Sequence, residues 1–360
     1  MNMRSNWWKF LGILILIYKL VIGMSVPLKP GIERVDSLSI GKDGNDMSSV
    51  SNGESHVIKI HGYNTNYLNN ENSAWLKLDS IGSVKASKIE ALSDTDANLT
   101  FSIPEFFPER DNYQLLTLVM HNSTDGPSIL PDALSVKTNK LSNDSLEEWT
   151  INPISNITEK PGMQFPYRSV LNETIRNTFF HIPLWFSMFI LLVISIVYSV
   201  RYLIGKNIYD DIIASSLVNV AVLFGLLGII TGSIWAKFTW GTFWTTDVKL
   251  NMSTVAMLIY VASLILRSSI NDVDRRAQLS ASYNIFAFAA LIPLVFVIPR
   301  LTDSLHPGNG GNPALGGEDM ENTLRMVFYP AIIGFTLLGL WLSSILIRYE
   351  TIKDKWLSKI

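Results

Sequence analysis

An eleven-residue run, WGTFWTTDVKL from Trp240 to Leu250, places aromatic and charged side chains between two apolar stretches. Residues three, four and seven positions apart share one face of a helix. Four residues of the run have that spacing: Trp240, Phe243, Trp244 and Asp247. Aromatic belts at a membrane surface do not require such a register. The spacing therefore predicts an interfacial helix with one flat aromatic face that can support a planar ligand.

Two of the five histidines flank this run, His181 in NTFFHIPLWF and His306 in LTDSLHPGNGGNP. Neutral imidazole suits iron, and a pair of imidazoles is a common way of holding haem iron. Tryptophan and phenylalanine supply the apolar contact that a porphyrin needs, and Trp235 adds a further ring just before the run. These residues predict a haem site with His181 and His306 as metal ligands.

A haem also carries two propionates, which need cationic partners. Lys237 and Lys249 border the aromatic run, and Arg300 and Arg325 border the segment that contains His306. Lys249 is the preferred partner, with Arg300 and Arg325 as further candidates. The glycine-rich stretch GNGGNPALGG after His306 is interpreted as a flexible lid.

The composition excludes several classes of site. The chain has no cysteine, which rules out disulfides, thiolate metal sites and covalent thioether attachment of haem. The predicted cofactor is therefore haem b, held non-covalently. With a formal net charge of −2, no basic surface argues for a nucleic-acid partner.

Apolar blocks without charged residues must position these groups. Each is about as long as the ~20 residues that a helix needs to cross a bilayer. The five blocks are Ile182–Val200, Ile212–Ala236, Leu250–Leu266, Ala277–Pro299 and Met326–Ile347. A sixth block, Phe10–Leu28, is interrupted by Lys19 and is expected to be a retained first helix in preference to a cleaved signal peptide. The fold class is therefore a polytopic α-helical membrane protein with six transmembrane helices.

Loop charges orient these spans. Lys and Arg residues concentrate at the head, at the tail and in the connections 201–211 and 267–276. The positive-inside rule places these segments, and both termini, in the cytoplasm. The aromatic run and both histidines then fall on the opposite side, together with the long stretch after the first span.

That long stretch predicts an inserted all-β, Ig-like sandwich domain. SHVIKIHGY, AWLKLD, LTFSI and YQLLTLV alternate polar and apolar residues, as strands of a half-buried sheet do. Residues 1–28 form the first span, 29–138 the β-sandwich, 139–176 a linker, 177–348 the five-helix membrane domain with its loop 237–250, and 349–360 a tail. His56, His61 and His121 are expected on the surface of the β-domain.

The run resembles the tryptophan-rich WWD motif, roughly WGxWWxWDxRLT, of the cytochrome c assembly family of CcmC and CcsA type. Trp240, Gly241, Trp244 and Asp247 match the motif. Phe243 and Thr246 stand where the family has Trp, and Lys249 where it has Arg. The likeness covers the chain from about Phe10 to Ile347 apart from the inserted β-domain, and it is closer to the CcmC branch.

This resemblance implies that His181 and His306 are the axial ligands and that haem is held at the periplasmic face of the inner membrane. It implies delivery to a periplasmic haem chaperone or to apocytochrome c, beside other cytochrome c maturation membrane subunits. The resemblance implies a handling step more than a bond-making one, with a place in a cytochrome c haem lyase system as the alternative, and no catalytic residue is assigned.

Two other functions are compatible with the composition. A haem b electron-transfer subunit of a quinol oxidoreductase would carry histidines within its spans, and no histidine occurs inside the five uncharged blocks. A non-haem transporter or an adhesin that uses its β-domain would leave the paired histidines and the aromatic run unexplained.

Overall fold

The computed structural model describes residues 3–37, 49–51, 53–68, 70–107, 113–137, 149–151, 153–160, 162–302, 304, 306 and 320–357. The chain divides into two compact units. One consists of Met1–Val26 and Glu173–Ile360, and the other is Pro27–Asn172. The GNGGNPALGG stretch that was interpreted as a lid lies outside the described residues.

The first unit is a bundle in which six described helices are long and apolar enough to cross a membrane. They are α1 (Met3–Ser25), α2 (His181–Gly205), α3 (Ile208–Trp240), α4 (Val248–Ser268), α5 (Val273–Ile292) and α6 (Asn322–Leu357). The number and positions of the predicted spans are confirmed, and the protein is an integral membrane protein. Several helices run beyond the predicted blocks, and α6 continues through most of the predicted tail.

The ends of these helices follow from local side chains. Asn207 accepts a hydrogen bond from the Tyr209 N–H at the start of α3, and Asp272 accepts one from the Arg275 N–H at the start of α5. Such caps satisfy backbone donors that have no partner within the helix. Lys206 adopts a left-handed conformation with φ of 54° where α2 ends. The reversal between α2 and α3 therefore needs only two residues.

The first helix packs on the last one around a proline. Pro330 lies inside α6 and has no N–H, which leaves the carbonyl of Met326, four residues earlier, without its helical partner. The hydroxyl of Tyr18 on α1 donates to that carbonyl at 3.3 Å. A side chain of α1 thus replaces a hydrogen bond that α6 cannot make by itself.

The second unit contains two β-sheets. Its described strands are β1 (Gly31–Ser37), β2 (Ser49–Ser51), β3 (Ser55–Tyr63), β4 (Ser73–Leu78), β5 (Gly82–Lys85), β6 (Lys88–Ala91), β7 (Asp96–Ser102), β8 (Tyr113–Asn122) and β9 (Gly126–Lys137). One sheet has the order β1-β3-β7-β6 and the other β2-β9-β8-β4-β5. All described pairings are antiparallel except β2 with β9, which is parallel.

Both sheets contribute to one core, so the prediction of an inserted all-β domain is confirmed. Ile58 and Leu99 come from one sheet, and Leu76 and Leu118 from the other. Trp149 is fully buried in the same core, and its indole N–H donates to the carbonyl of Phe106 at 3.3 Å. The unit therefore extends past the predicted boundary at residue 138, into the stretch that was predicted to be a linker.

The three histidines of this unit have partners of their own. Nε2 of His61 lies 2.8 Å from Asp36, and its Nδ1 pairs with Asp96. Nε2 of His121 accepts the Thr158 N–H at 3.0 Å. His56 is buried, which corrects its expected surface position, because its strand side faces the core. No group of three or more side chains that could hold a metal ion is found among the described residues.

Candidate functional site

One end of the helical unit collects the predicted site residues. At this end α1 finishes at Ser25, α2 begins at His181 and α3 finishes at Trp240. We call it the histidine end. His306 also lies there, because its ring contacts those of Trp235 and Trp240.

His306 is oriented by the aspartate of the WGTFWTTDVKL run. Its Nδ1 lies 2.9 Å from Oδ1 of Asp247, whose side chain is 0% exposed. A carboxylate only accepts, so Nδ1 must carry the proton and the lone pair is on Nε2. Among the described residues Nε2 of His306 has no hydrogen-bond partner. This is the tautomer that a metal-ligating histidine uses when an outer carboxylate holds its other nitrogen.

Asp247 has two further roles. Its Oδ1 accepts the backbone N–H groups of Lys249 at 2.9 Å and Leu250 at 3.3 Å, which caps the start of α4. Its Oδ2 accepts the hydroxyl of Ser304 at 2.8 Å. One carboxylate therefore joins the segment that carries His306 to the first turn of α4.

The ring of His306 packs against two tryptophans that also contact each other. Its centroid lies 5.9 Å from that of Trp235 and 4.9 Å from that of Trp240. The two indoles meet edge to face at 4.9 Å. Aromatic contacts of this kind fix ring orientation and keep the imidazole partly dry. Burial, together with nearby Lys249, lowers the pKa of His306, while Asp247 opposes the shift. The neutral imidazole needed for metal ligation is therefore favoured.

His181 has the same tautomer as His306, but a backbone carbonyl sets it in place of a carboxylate. Its Nδ1 donates to the carbonyl of Gly228 at 2.9 Å and lies 3.2 Å from the hydroxyl of Thr231. A carbonyl also only accepts, so Nε2 keeps its lone pair, and it has no partner in the part of the chain that the structure describes. The two histidines are close enough to interact electrostatically. Two imidazole Nε2 atoms without a hydrogen-bond partner among the described residues thus lie at one end of the bundle.

Two glycines of α3 make room for the side chains of α2. A Cβ at Gly232 would lie 2.6 Å from Cε1 of His181, and one at Gly228 would lie 2.8 Å from Nε1 of Trp185. A Cβ at Gly225 would likewise overlap with Sδ of Met257, so these glycines permit close packing of α3 against its neighbours. Gly232 lies eight residues before the end of α3 at Trp240, about 12 Å along the axis. The His181 ring is therefore deeper than its place at the start of a span predicts.

Replacing Gly232 by Ala is expected to displace the His181 ring and weaken its metal ligation. Shifts in ligand orientation of this kind cost roughly 10- to 100-fold in affinity. Haem titration of the purified variant, followed by its visible absorption, measures this. Gly205→Ala is the matched control, because a Cβ there meets nothing within 4 Å. Equal haem affinity of Gly232→Ala and wild type would contradict the prediction.

The prediction of one aromatic helix face is wrong. Helix α3 ends at Trp240, Gly241 follows with φ of 78°, and α4 begins only at Val248. The positive φ at Gly241 breaks the helix, and the Asp247 cap starts the next one. Phe243 and Trp244 are 57% and 40% exposed, and in the described part of the chain neither makes a ring contact with His306. The rings that reach the histidine are those of Trp235 and Trp240.

The predicted propionate partners are only partly brought together. Lys249 interacts electrostatically with Asp247, with Arg300 and with His306. Arg325 lies in the first turn of α6, where it donates to Asn322 at 3.4 Å. Neither histidine contacts Arg325 among the described residues. Lys249 and Arg300 thus lie on the His306 side.

A cleft of about 240 Å³ at the histidine end contains residues that the sequence interpretation missed. Phe180 and Trp235 line it, together with Arg176. Arg176 donates to the carbonyls of Gly23 at 2.7 Å and Val26 at 2.8 Å, and pairs with Glu173. The signal that could have found it is the pair of opposite charges three residues apart, Glu173 and Arg176, shortly before His181.

Comparison with known proteins agrees with this architecture. The family model for CcmC, heme exporter protein C, matches residues 163–359. The heme exporter protein C of Bradyrhizobium diazoefficiens is 27% identical over 187 residues, which are 51% of this chain and 68% of that protein. That of Paracoccus denitrificans is 26% identical over 178 residues, 49% and 73% of the two chains. The residues that the family model matches include both histidines and the WGTFWTTDVKL run, and the chain belongs to the CcmC family.

Proposed function

We propose that this protein holds haem, as its cargo, at the histidine end of its helical unit during cytochrome c biogenesis. The observation that carries the proposal is the shared tautomer of His181 and His306. In both, Nδ1 is engaged by an oxygen acceptor and the Nε2 lone pair has no partner among the described residues. Membership in a family described as heme exporter protein C supports the same role.

The chemistry of the donor set fits haem iron. Two neutral imidazoles are suitable axial ligands, and the absence of cysteine from the sequence leaves non-covalent haem b as the proposed form. Trp235 and Trp240 supply apolar rings beside His306. Lys249 and Arg300 would neutralise propionates, with Arg325 a less favoured candidate.

The remaining motif residues have separable roles in the proposal. Asp247 and the Gly228 carbonyl orient the two ligating rings. Gly241 ends α3 so that the loop can turn toward α4. The exposed rings of Phe243 and Trp244 are available to the porphyrin edge or to an acceptor protein. The exposed Thr246 stands where the motif has Trp, so this edge presents less aromatic surface.

The orientation in the membrane follows from charge. Lys and Arg residues cluster at the ends of the helices opposite the histidine end, which by the positive-inside rule face the cytoplasm. We therefore place the histidine end and the β-unit on the periplasmic side of the inner membrane, with both termini cytoplasmic. The proposed partners are a periplasmic haem chaperone or apocytochrome c, and other maturation subunits in the bilayer. An immunoglobulin-like topology of the β-unit is also a proposal.

Transfer of haem tests the delivery step. The purified, haem-loaded protein is mixed with an apo haem chaperone or apocytochrome c, and the two are separated after timed intervals. We expect the haem spectrum to move to the acceptor faster than to an equal amount of serum albumin. If albumin and the acceptor receive haem at the same rate, the protein only stores or releases haem. The electron-transfer alternative would instead show haem that stays bound and is reduced by a quinol.

A further inference from the structure

Lys19 is a charged side chain buried inside α1, and the site described so far does not use it. It is 3% exposed, although it lies within an apolar span. Its Nζ lies 3.2 Å from the centre of the Phe180 ring and 4.8 Å from that of Phe335. Among the described residues no carboxylate forms an ion pair with it. Ring faces attract a cation but do not neutralise it.

An ammonium without a counter-ion is costly to bury in an apolar bundle. Ionisable groups within spans usually mark a ligand or an ion path, and they usually have an identifiable partner. Because the described residues supply no carboxylate partner, an anionic group of a ligand is the natural complement. The position of Lys19 in the helical unit indicates which ligand would carry this anionic group.

Lys19 lies directly behind the wall of the cleft at the histidine end. Phe180, whose ring it contacts, lines the cleft together with Trp235 and immediately precedes His181. Lys19 also lies one helical turn, about 6 Å, from Gly23, whose carbonyl accepts the guanidinium of Arg176. Arg176 therefore lies at the cleft surface as an ion pair with Glu173, which lines the same cleft, and Lys19 is a cation behind the Phe180 ring without a carboxylate partner among the described residues.

We propose that the Lys19 ammonium pairs with a carboxylate of the bound porphyrin. This inference rests on the proposed function, because it takes the cleft beside Trp235 as part of the porphyrin site. The lysine side chain is long and flexible, so rotation of the Phe180 ring allows its ammonium to reach a carboxylate in the cleft. Lys19 is then a specificity residue, which favours a porphyrin with free propionates over an esterified one.

Binding of two porphyrins that differ only in their carboxylates tests the inference. The probes are metal-free protoporphyrin IX and its dimethyl ester, and quenching of tryptophan fluorescence in the full-length protein in detergent gives the dissociation constants. The metal-free ring removes ligation by His181 and His306 from the measurement. We expect wild type to bind the free acid more tightly, and Lys19→Met to lose roughly 10-fold for the acid, the usual effect of removing a charge-assisted hydrogen bond. Affinity for the ester should change less than about twofold.

Two variants serve as controls. Lys19→Arg keeps the charge and should retain the preference for the acid. Lys9→Met removes another α1 lysine that contacts two rings, those of Trp8 and Trp341, and should behave as wild type.

Three results would overturn the inference: equal binding of acid and ester by wild type, equal loss for both ligands in Lys19→Met, or no saturable binding of the metal-free porphyrin. The first and third results are measured on the wild-type protein, so they do not depend on whether a variant folds. The two proposals can fail separately. If the preference for the free acid depends on Lys19 but the haem spectrum does not change when both histidines are replaced, the proposed ligation is rejected and this inference stands.

Discussion

Replacing His181 and His306 together by Ala is expected to abolish the six-coordinate haem spectrum of the purified protein. Both axial nitrogens are lost, whereas the aromatic contacts of Trp235 and Trp240 are left in place. Each single replacement should weaken haem binding by at least the ~100-fold that loss of an outer-shell partner can cost. Haem titration followed by absorption and resonance Raman spectroscopy measures affinity and coordination number separately.

Imidazole provides a direct check on this assignment. Either single variant should regain the six-coordinate spectrum when free imidazole occupies the vacated position, and the double variant should need more of it. His121→Ala is the matched control, because that histidine contacts Thr158 in the β-unit. A double variant with the wild-type spectrum would show that other groups hold the iron.

Replacing Asp247 by Ala is expected to weaken haem binding about 10- to 100-fold and to lower stability. The first effect follows because His306 loses the acceptor that sets its tautomer. The second follows because α4 loses its N-terminal cap, which typically contributes about 1 kcal/mol. Haem titration and thermal unfolding of the apoprotein measure the two effects.

Asp247→Asn separates the effect on haem binding from the effect on stability. Asparagine is a good cap, so stability should be close to that of wild type. The amide keeps the oxygen that the cap and His306 share, but it is uncharged and replaces the acceptor of Ser304 by a donor, so the His306 ring loses the carboxylate that raises the basicity of a ligating imidazole. Haem affinity should therefore fall although the cap is kept. Asp272→Ala, which removes the cap of α5, should lower stability without changing haem affinity. Loss of affinity in Asp272→Ala to the same degree would mean that Asp247 acts only through stability.

The spans and the glycine stripe could be predicted because each depends on a short-range rule. A bilayer demands about 20 apolar residues per helix, and Gly225, Gly228 and Gly232 lie three or four residues apart on one helix face. The error in the aromatic run also has a local cause. Its 3-4-7 spacing is compatible with a helix, but Gly241 and Asp247 are common signals for the end of one helix and the start of the next. In this run the end signals override the helical periodicity.

Other features depend on contacts between residues far apart in the chain. Asp247 and His306 are 59 positions apart, and only the packing of their two segments brings the carboxylate onto Nδ1. The depth of the His181 ring depends on the space left by Gly232 on another helix. Arg176 lines the cleft, and Lys19 contacts the Phe180 ring of its wall, only because α1 packs beside the segment that precedes α2 and the start of α2.

The amino-acid sequence by itself determined the membrane spans, the inserted β-domain and the absence of thiol chemistry. It also singled out His181 and His306 as the two histidines that flank the aromatic run. Each of these follows from residue type and local order, which hydropathy, strand alternation and motif spacing report directly. The tertiary structure decided which nitrogen of each histidine is available, which tryptophans reach His306 and which cations border the cleft. Those properties are set by single hydrogen bonds and ring contacts between distant segments, and the packing of the helices creates them.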